Sequence, residues 1–484
     1  MNAPVRRLSI VVAALFASLL VSTTLIQYVF AADLNARPDN RRTLLSTYGR
    51  ERGEILVGQT PVARSVPSDD EYKFQREYGQ GRLYAHVTGF YSFYGASGGL
   101  EQAENSLLSG SSDKLFYRRV SDLFTGRRPQ GANVETTLDP AVQEAAAAGM
   151  KRIRGAAVAL DPRTGAILAM VSNPTFDPND LAGHDLEVVG RNYEELNEDP
   201  AKPLVNRSIG GDLYPPGSVF KVVTAAAALS TGSYSPDSVL PGPALLDLPQ
   251  TRADLPNHDD RACDDDDEVT MTQALAVSCN TAFAYLGMEI GQEALQDQAA
   301  KFGFGDSITV PMRVTPSTVP AEMNAPQLAQ ASIGQYDVRT TPMQMAMVAA
   351  GVANKGVVMR PYLVESVIGS DLSVIESADP QELSQAVTPE VAAQLTGMME
   401  SVVEDGTGRR AQIEGVDVAG KTGTAQHGEG RKAHAWFISF APANDPEIAV
   451  AVIAEDGGVA GSEAGGGTVA APIARTMMEA RLSQ

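Results

Sequence analysis

Residues 8–32 read LSIVVAALFASLLVSTTLIQYVFAA, an unbroken uncharged run with Arg6 and Arg7 directly before it. As a helix this run spans about 37 Å, enough to cross a hydrocarbon core about 30 Å thick. The two arginines predict a cytoplasmic tail over residues 1–7 and an outward-facing remainder. Small residues in Val29-Phe30-Ala31-Ala32 raise a cleaved signal peptide as the competing assignment. The run is longer than the usual apolar core of such peptides, so a retained single-pass plasma-membrane anchor over 8–32 is the expectation.

Residues 33–134 are polar and rich in Gly, Tyr and Ser, with short apolar stretches at 54–57 and 83–87. They predict a smaller, elongated mixed domain or stalk, and Arg127-Arg128-Pro129-Gln130-Gly131 predicts a hinge near its end. From 135 to 484 the pattern sharpens. Asp139-Pro140 opens a helix with a cap and a first-turn proline. Gly155–Leu160 and residues 166–171 are apolar runs around Asp161-Pro162-Arg163-Thr164-Gly165, which predicts a hairpin. Residues 218–229 are nearly all Val, Phe and Ala, the pattern of a helix buried on every side. Thr341-Pro342 opens another helix that Gly356 closes. Residues 416–424, 435–440 and 448–454 read as strands, followed by a last helix over 469–481. Strands at both ends with helices between them predict an α+β layer fold whose sheet closes late in the sequence.

Composition narrows the function. The 484 residues are 43% hydrophobic and 20% charged, which suits a globular chain of two or three domains. A formal net charge of −21 argues against nucleic acid as a partner, because phosphates would be repelled. Two cysteines, Cys263 and Cys279, exclude a disulfide-dense scaffold and a four-cysteine zinc site.

The chemistry begins at Tyr214-Pro215-Pro216-Gly217-Ser218-Val219-Phe220-Lys221. Prolines and glycine stop the preceding chain, so Ser218 falls in the first turn of the buried helix and shares a face with Lys221. A serine hydroxyl needs a base to become a nucleophile, and a desolvated lysine is inclined to be neutral and can serve. The helix N-terminus supplies free amides for a developing oxyanion. Ser-x-x-Lys alone does not specify chemistry: Ser111/Lys114 repeats it in a polar, glycine-flanked loop, and Ser218/Lys221 by itself also suits a helix cap with a snorkelling lysine. Two later motifs decide the matter. Ser278-Cys279-Asn280 sits between two helical patterns, and Lys421-Thr422-Gly423-Thr424 sits in a strand-like run. Ser-x-x-Lys, Ser-x-Asn and Lys-Thr-Gly in this order are the signature of penicillin-interacting serine acyltransferases. Ser278 can relay a proton, Asn280 can bind a substrate amide and Lys221, and Lys421 can face a substrate carboxylate. Thr422 and Thr424 can hydrogen-bond that carboxylate, and Gly423 leaves room for a peptide laid along the strand edge. The backbone amides of Ser218 and Thr424 would form the oxyanion hole.

Competing patterns are weaker. Residues 415–422 match the phosphate-loop pattern G-x-x-x-x-G-K-T, but Val416-Asp417-Val418-Ala419 favours extended chain and no helix can follow. Residues 95–99 match G-x-S-x-G in what reads as a turn. His86, His184, His258, His427 and His434 show no metal-type spacing and read as surface or loop histidines, so no metal and no cofactor is expected. The acidic residues 264–268 lack the alternation and central glycine of a calcium loop and read as solvated. Outside the membrane Cys263 and Cys279 can pair. Closing a loop of about 17 residues would restrain the chain by roughly 3 kcal/mol and brace Ser278 and Asn280.

On these motifs the chain resembles the class B penicillin-binding proteins, and within them the actinobacterial penicillin-binding protein A subgroup. The likeness extends over Leu83-Tyr84-Ala85-His86-Val87-Thr88-Gly89, Ser332-Ile333-Gly334-Gln335 and residues 341–354 as well as the three motifs. It implies a penicillin-binding/serine β-lactamase-like transpeptidase domain over 135–484, a five-stranded antiparallel sheet flanked by helices. It implies D,D-transpeptidation: Ser218 attacks a stem peptide ending in D-Ala-D-Ala, D-alanine leaves, and a neighbouring amine resolves the acyl-enzyme. It implies acylation by β-lactam antibiotics and, with no glycosyltransferase region, a membrane glycosyltransferase partner of the RodA/FtsW type. Arg52-Gly53-Glu54-Ile55-Leu56-Val57-Gly58 lacks the Asp-Arg-Asn-Gly continuation common in the stalks of this class. A D,D-carboxypeptidase or β-lactamase would use the same residues with water as acceptor. A β-lactam sensor or divisome scaffold is the non-enzyme alternative, though only seven residues precede the anchor.

Overall fold

The structure, a computed structural model, describes residues 3–30, 34, 49–92, 95–116, 124, 130–428, 431–458 and 465–484. Ala31 and Ala32 at the end of the expected anchor, and all of the expected hinge except Gln130 and Gly131, lie outside them. The apolar N-terminal run forms a helix, Ala3–Thr24, that continues through a wider turn over Leu25–Val29. It is long and apolar enough to cross a membrane, and large side chains such as Leu15 and Leu20 are exposed along it.

The N-terminal region is built on a six-stranded sheet. Its spatial order is Val374–Ser377, Val364–Ile368, Asn133–Thr136, Ile55–Val57, Thr60–Pro67 and Phe74–Tyr78. Ile55–Val57 runs parallel to Asn133–Thr136, and the other pairs are antiparallel. Two of these strands come from deep within the second half of the chain, so the sheet spans residue 134/135. The apolar stretch near residue 83 is a helix, Gly81–Thr88. Beside the sheet, fully buried Glu101 accepts from Arg52 Nε (2.6 Å), Arg76 Nε (2.7 Å) and the Tyr78 hydroxyl (3.2 Å). Burial alone would push the Glu101 carboxyl up, but Arg76 and Arg52 hold it below the usual value.

The larger domain carries a five-stranded antiparallel sheet in the order Ala419–Ala425, His434–Ala441, Ile448–Ala454, Gly155–Leu160 and Ile167–Asn173. The strands read as continuous apolar runs because helices cover both faces. Ala156, Val158 and Leu160 join the core cluster that contains helices Lys221–Ser230 and Pro342–Ala353. Ala157 and Ala159 face the opposite cluster, with Pro140–Met150 and Ala471–Leu482. The same device starts three helices: Asp139, Thr341 and Thr388 each accept a backbone amide as cap, with proline next.

Candidate active site

Gly217 has φ of 57°, which a side chain would strain, and a Cβ there would lie 2.7 Å from the carbonyl oxygen of Thr424. Glycine thus lets the chain turn tightly against the end of strand Ala419–Ala425. A 3₁₀ turn, Gly217–Phe220, follows and leads into helix Lys221–Ser230. Ser218 is the partly exposed residue of that first turn, and it lines a cleft of about 1140 Å³. Its neighbours Val219 and Phe220 and the helix residues Lys221 to Leu229 are buried.

Lys221 is fully buried, and its Nζ donates to the Ser278 carbonyl (2.7 Å) and to Asn280 Oδ1 (2.8 Å), with Ser278 Oγ at 3.4 Å. Among the described residues no hydrogen bond joins Lys221 to Ser218. Burial, and then the nearby charge of Lys421, hold the Lys221 amine well below its ordinary value. Lys421, also fully buried, donates from Nζ to Ser278 Oγ (2.9 Å) and to the Thr422 carbonyl (2.9 Å). Its desolvation lowers its value to about 7. Ser278 Oγ therefore lies between two amines from distant parts of the chain.

Local structure explains that placement. Helix Met271–Val277 ends at Ser278 in the left-handed region (φ 66°), a costly conformation for a residue with a side chain. The next helix, Asn280–Lys301, starts almost at once. Its N-terminus is held by Asn257, which the motifs did not reveal. Asn257 Oδ1 accepts from the amides of Asn280 (2.9 Å) and Thr281 (3.1 Å), and its Nδ2 donates to the carbonyls of Pro243 and Arg261. Cys263 and Cys279 are joined in a disulfide one residue from Ser278 and Asn280. Asn257 follows a β-strand, Asp254–Pro256, with no sequence pattern to distinguish it.

Thr422 and Thr424 line the same cleft. Thr422 Oγ1 is hydrogen-bonded to Thr407 Oγ1 (2.6 Å), a second residue outside the motifs. A Cβ at Gly423 would meet Val219 and Trp436 at 3.0 Å and the Pro216 carbonyl at 3.1 Å. Glycine here lets the strand approach the Ser218 turn, a different reason from the open strand edge expected.

The other candidates separate. Residues 419–425 are a strand and not a phosphate loop. Lys114 forms an ion pair with Glu376, and residues 264–268 are exposed. Gly95–Ser97 is a strand of a small hairpin. The histidine expectation needs correction, because sequence spacing does not report strand pairing. His86 is buried with Nε2 2.8 Å from the Pro203 carbonyl, and burial lowers its value to about 4. His434 is buried in the central sheet, where desolvation lowers its value to about 3. Its ring stacks on His427 at 3.6 Å, and His427 Nε2 lies 2.9 Å from Asp456 Oδ1. The amide of Asp456 donates to His434 Nδ1 (3.1 Å), which leaves the proton of the neutral ring on Nε2. His434 Nδ1 is thus engaged as the acceptor of an N–H, and the trio packs together beside the strand ends.

Known proteins share this architecture. Residues 155–479 match the family described as the penicillin binding protein transpeptidase domain, and residues 52–134 match the penicillin binding protein A dimerisation domain. The chain is 46% identical to the peptidoglycan D,D-transpeptidase PbpA of Mycolicibacterium smegmatis, over 100% of both chains. It is 44% identical to that of Mycobacterium tuberculosis, over 100% of this chain and 99% of that one. The solved ceftriaxone acyl-enzyme complex of penicillin-binding protein A from M. tuberculosis superposes with a TM-score of 0.88 at 43% identity, covering 90% of this chain and all of that one. The penicillin G acyl-enzyme complex gives 0.85 with the same identity and coverage. Fold, motif order and full-length likeness agree, and the chain belongs to the class B penicillin-binding proteins, in the penicillin-binding protein A group.

Proposed function

We propose that this chain is a peptidoglycan D,D-transpeptidase with Ser218 as nucleophile. The observation that carries the assignment of roles is the hydrogen-bonding of Lys221. Its Nζ is held by the Ser278 carbonyl and Asn280 Oδ1, with a longer contact to Ser278 Oγ, and full burial beside Lys421 favours the neutral amine, which keeps a lone pair. The remaining lone pair makes it a base, and catalytic hydrogen bonds such as that to Ser218 often tighten only when substrate binds.

In this scheme Lys221 takes the proton of Ser218 as Oγ bonds to the penultimate D-alanine carbonyl carbon. The carbonyl π electrons move to oxygen, where the amides of Ser218 and Thr424 stabilise the charge. The adjacency of Gly217 to the Thr424 carbonyl supports that pairing of amides. The C–N bond then breaks, and the departing D-alanine nitrogen receives the proton through Ser278. Thr422 and Thr424 hold the terminal carboxylate, with Lys421 behind them as positive charge. A stem-peptide amine next attacks the ester carbonyl and gives its proton to Lys221; the C–Oγ bond breaks, and Lys221 returns the proton to Ser218 Oγ. β-Lactams would stop at the first ester.

The wider setting belongs to the same proposal. The N-terminal helix anchors the chain with residues 1–7 in the cytoplasm and the cleft outside. A smaller domain over 33–134 carries a transpeptidase domain over 135–484. A glycosyltransferase of the RodA/FtsW type supplies the glycan strands. Full-length protein supplied with nascent glycan bearing D-Ala-D-Ala stems tests the reaction. The proposal expects cross-linked dimers and one released D-alanine per link, both lost in Ser218→Ala. D-Alanine release without cross-links would make the chain a carboxypeptidase.

A further inference from the structure

Thr407 lies outside the three motifs, yet it joins two of them. Its amide donates to the Ala276 carbonyl (3.1 Å), in the helix that leads to Ser278. Its hydroxyl reaches the same carbonyl at 3.3 Å and Thr422 Oγ1 at 2.6 Å. Thr422 is buried, and its methyl lies near Gly467, where a Cβ would come within 2.2 Å of the Thr407 carbonyl oxygen. Thr407, Thr422 and Gly467 are thus packed closely, and all three line the cleft.

A hydroxyl has one proton to give. The Thr407–Thr422 bond can run in either direction. If Thr422 donates, its proton is used up and only oxygen lone pairs face the cleft, which would repel a carboxylate. If Thr407 donates, the Thr422 proton is free to bond a substrate carboxylate, and a chain of two hydrogen bonds strengthens the outer one. The longer contact from Thr407 to the Ala276 carbonyl is the alternative that substrate must outcompete.

We propose that Thr407 is a positioning residue for carboxylate recognition: its hydroxyl donates to Thr422, which turns Thr422 into a donor towards the terminal carboxylate of stem peptides and β-lactams. This rests on the proposed function. It adds a specificity residue that acts through Thr422 and ties the carboxylate site to the helix bearing Ser278.

The test compares second-order acylation rate constants for benzylpenicillin and its methyl ester, using full-length wild type, Thr407→Val, Thr407→Ser and Thr407→Ala. Thr407→Val keeps the shape without the hydroxyl, and Thr407→Ala serves if the valine variant does not fold. The expected result is an acylation rate with the free acid about five- to tenfold lower, as for loss of a hydrogen bond to a charged group seen through one intermediary. The ester rate stays unchanged, and Thr407→Ser restores the acid rate. In a Thr422→Val background the further loss on Thr407→Val disappears, because the two hydroxyls act as one unit. Equal loss with acid and ester, an unchanged acid rate, or a full loss persisting in Thr422→Val overturns the proposal. Absence of any wild-type acylation would instead overturn the transpeptidase assignment itself.

Discussion

Lys421 Nζ, on an edge strand late in the chain, donates to Ser278 Oγ over 2.9 Å, at a helix junction more than a hundred residues earlier. Lys221 reaches the same hydroxyl at 3.4 Å, so the three motifs meet at a single oxygen. Two buried amines so close cannot both stay charged at low cost, which couples proton position to catalysis.

The neutral amine at Lys221 is the first consequence to test. Lys221→Arg keeps a cation and hydrogen-bond donors but offers no lone pair at any working pH. Acylation by penicillin should fall by at least about a hundredfold, the lower range for loss of a general base, while thermal unfolding still shows a folded domain. Stopped-flow acylation kinetics give the measurement. Near wild-type rates in the arginine variant would remove Lys221 from the role of base.

Asn257 is predicted to matter as much as a motif residue. Asn257→Leu removes the acceptor for the Asn280 and Thr281 amides and frees the Asn280 side chain from its fixed start. Loss of such a cap typically weakens a helix by about 1 kcal/mol, and the displaced Asn280 would slow acylation by tenfold or roughly so. Asn257→Asp, which keeps the acceptor oxygen, should retain more activity than Asn257→Leu. Equal rates in both variants and wild type would sink the idea.

Lys421 gives a pH signature. Its folded value, about 7, lies below the ordinary 10.5 of an unfolded lysine. Between those values the unfolded chain holds a proton that the folded one has released, so stability should rise with pH across that window. Denaturant melts of wild type and Lys421→Met from pH 6 to 10 should show the difference, with the wild-type stability rising relative to the variant. Wild-type stability that stays level or falls relative to the variant as pH rises would show that Lys421 stays charged in the folded protein.

Glu101 is predicted to hold the N-terminal sheet. Glu101→Gln leaves Arg52 and Arg76 buried with their countercharge gone, a change that typically costs about 3–5 kcal/mol. Thermal unfolding should show that loss, and penicillin acylation of the protein that stays folded should persist. A variant as stable as wild type would mean that water reaches the two guanidinium groups.

Much of the catalytic half was legible because its signals are local. The hairpin around Asp161-Pro162, the proline-started helices and the buried run after Ser218 each follow from a few neighbouring residues. The three motifs name chemistry but not distance, and only packing brings Lys421 to Ser278. The rest was illegible for a common reason. Strands Val364–Ile368 and Val374–Ser377 complete the N-terminal sheet through pairings that leave no periodic mark joining them to residues 133–136. Asn257 and Thr407 act through single hydrogen bonds to backbone or hydroxyl, which no spacing encodes. His427 and His434 stack although only His434 lies in a strand, and their spacing in sequence carries no sign of it.

Peptide mapping by mass spectrometry after brief exposure of the full-length protein to benzylpenicillin addresses the central assignment most directly. One penicilloyl group per chain is expected, on the peptide containing Ser218, and none in Ser218→Ala. Attachment at another residue, or an unmodified wild-type chain under conditions that leave it folded, would contradict it.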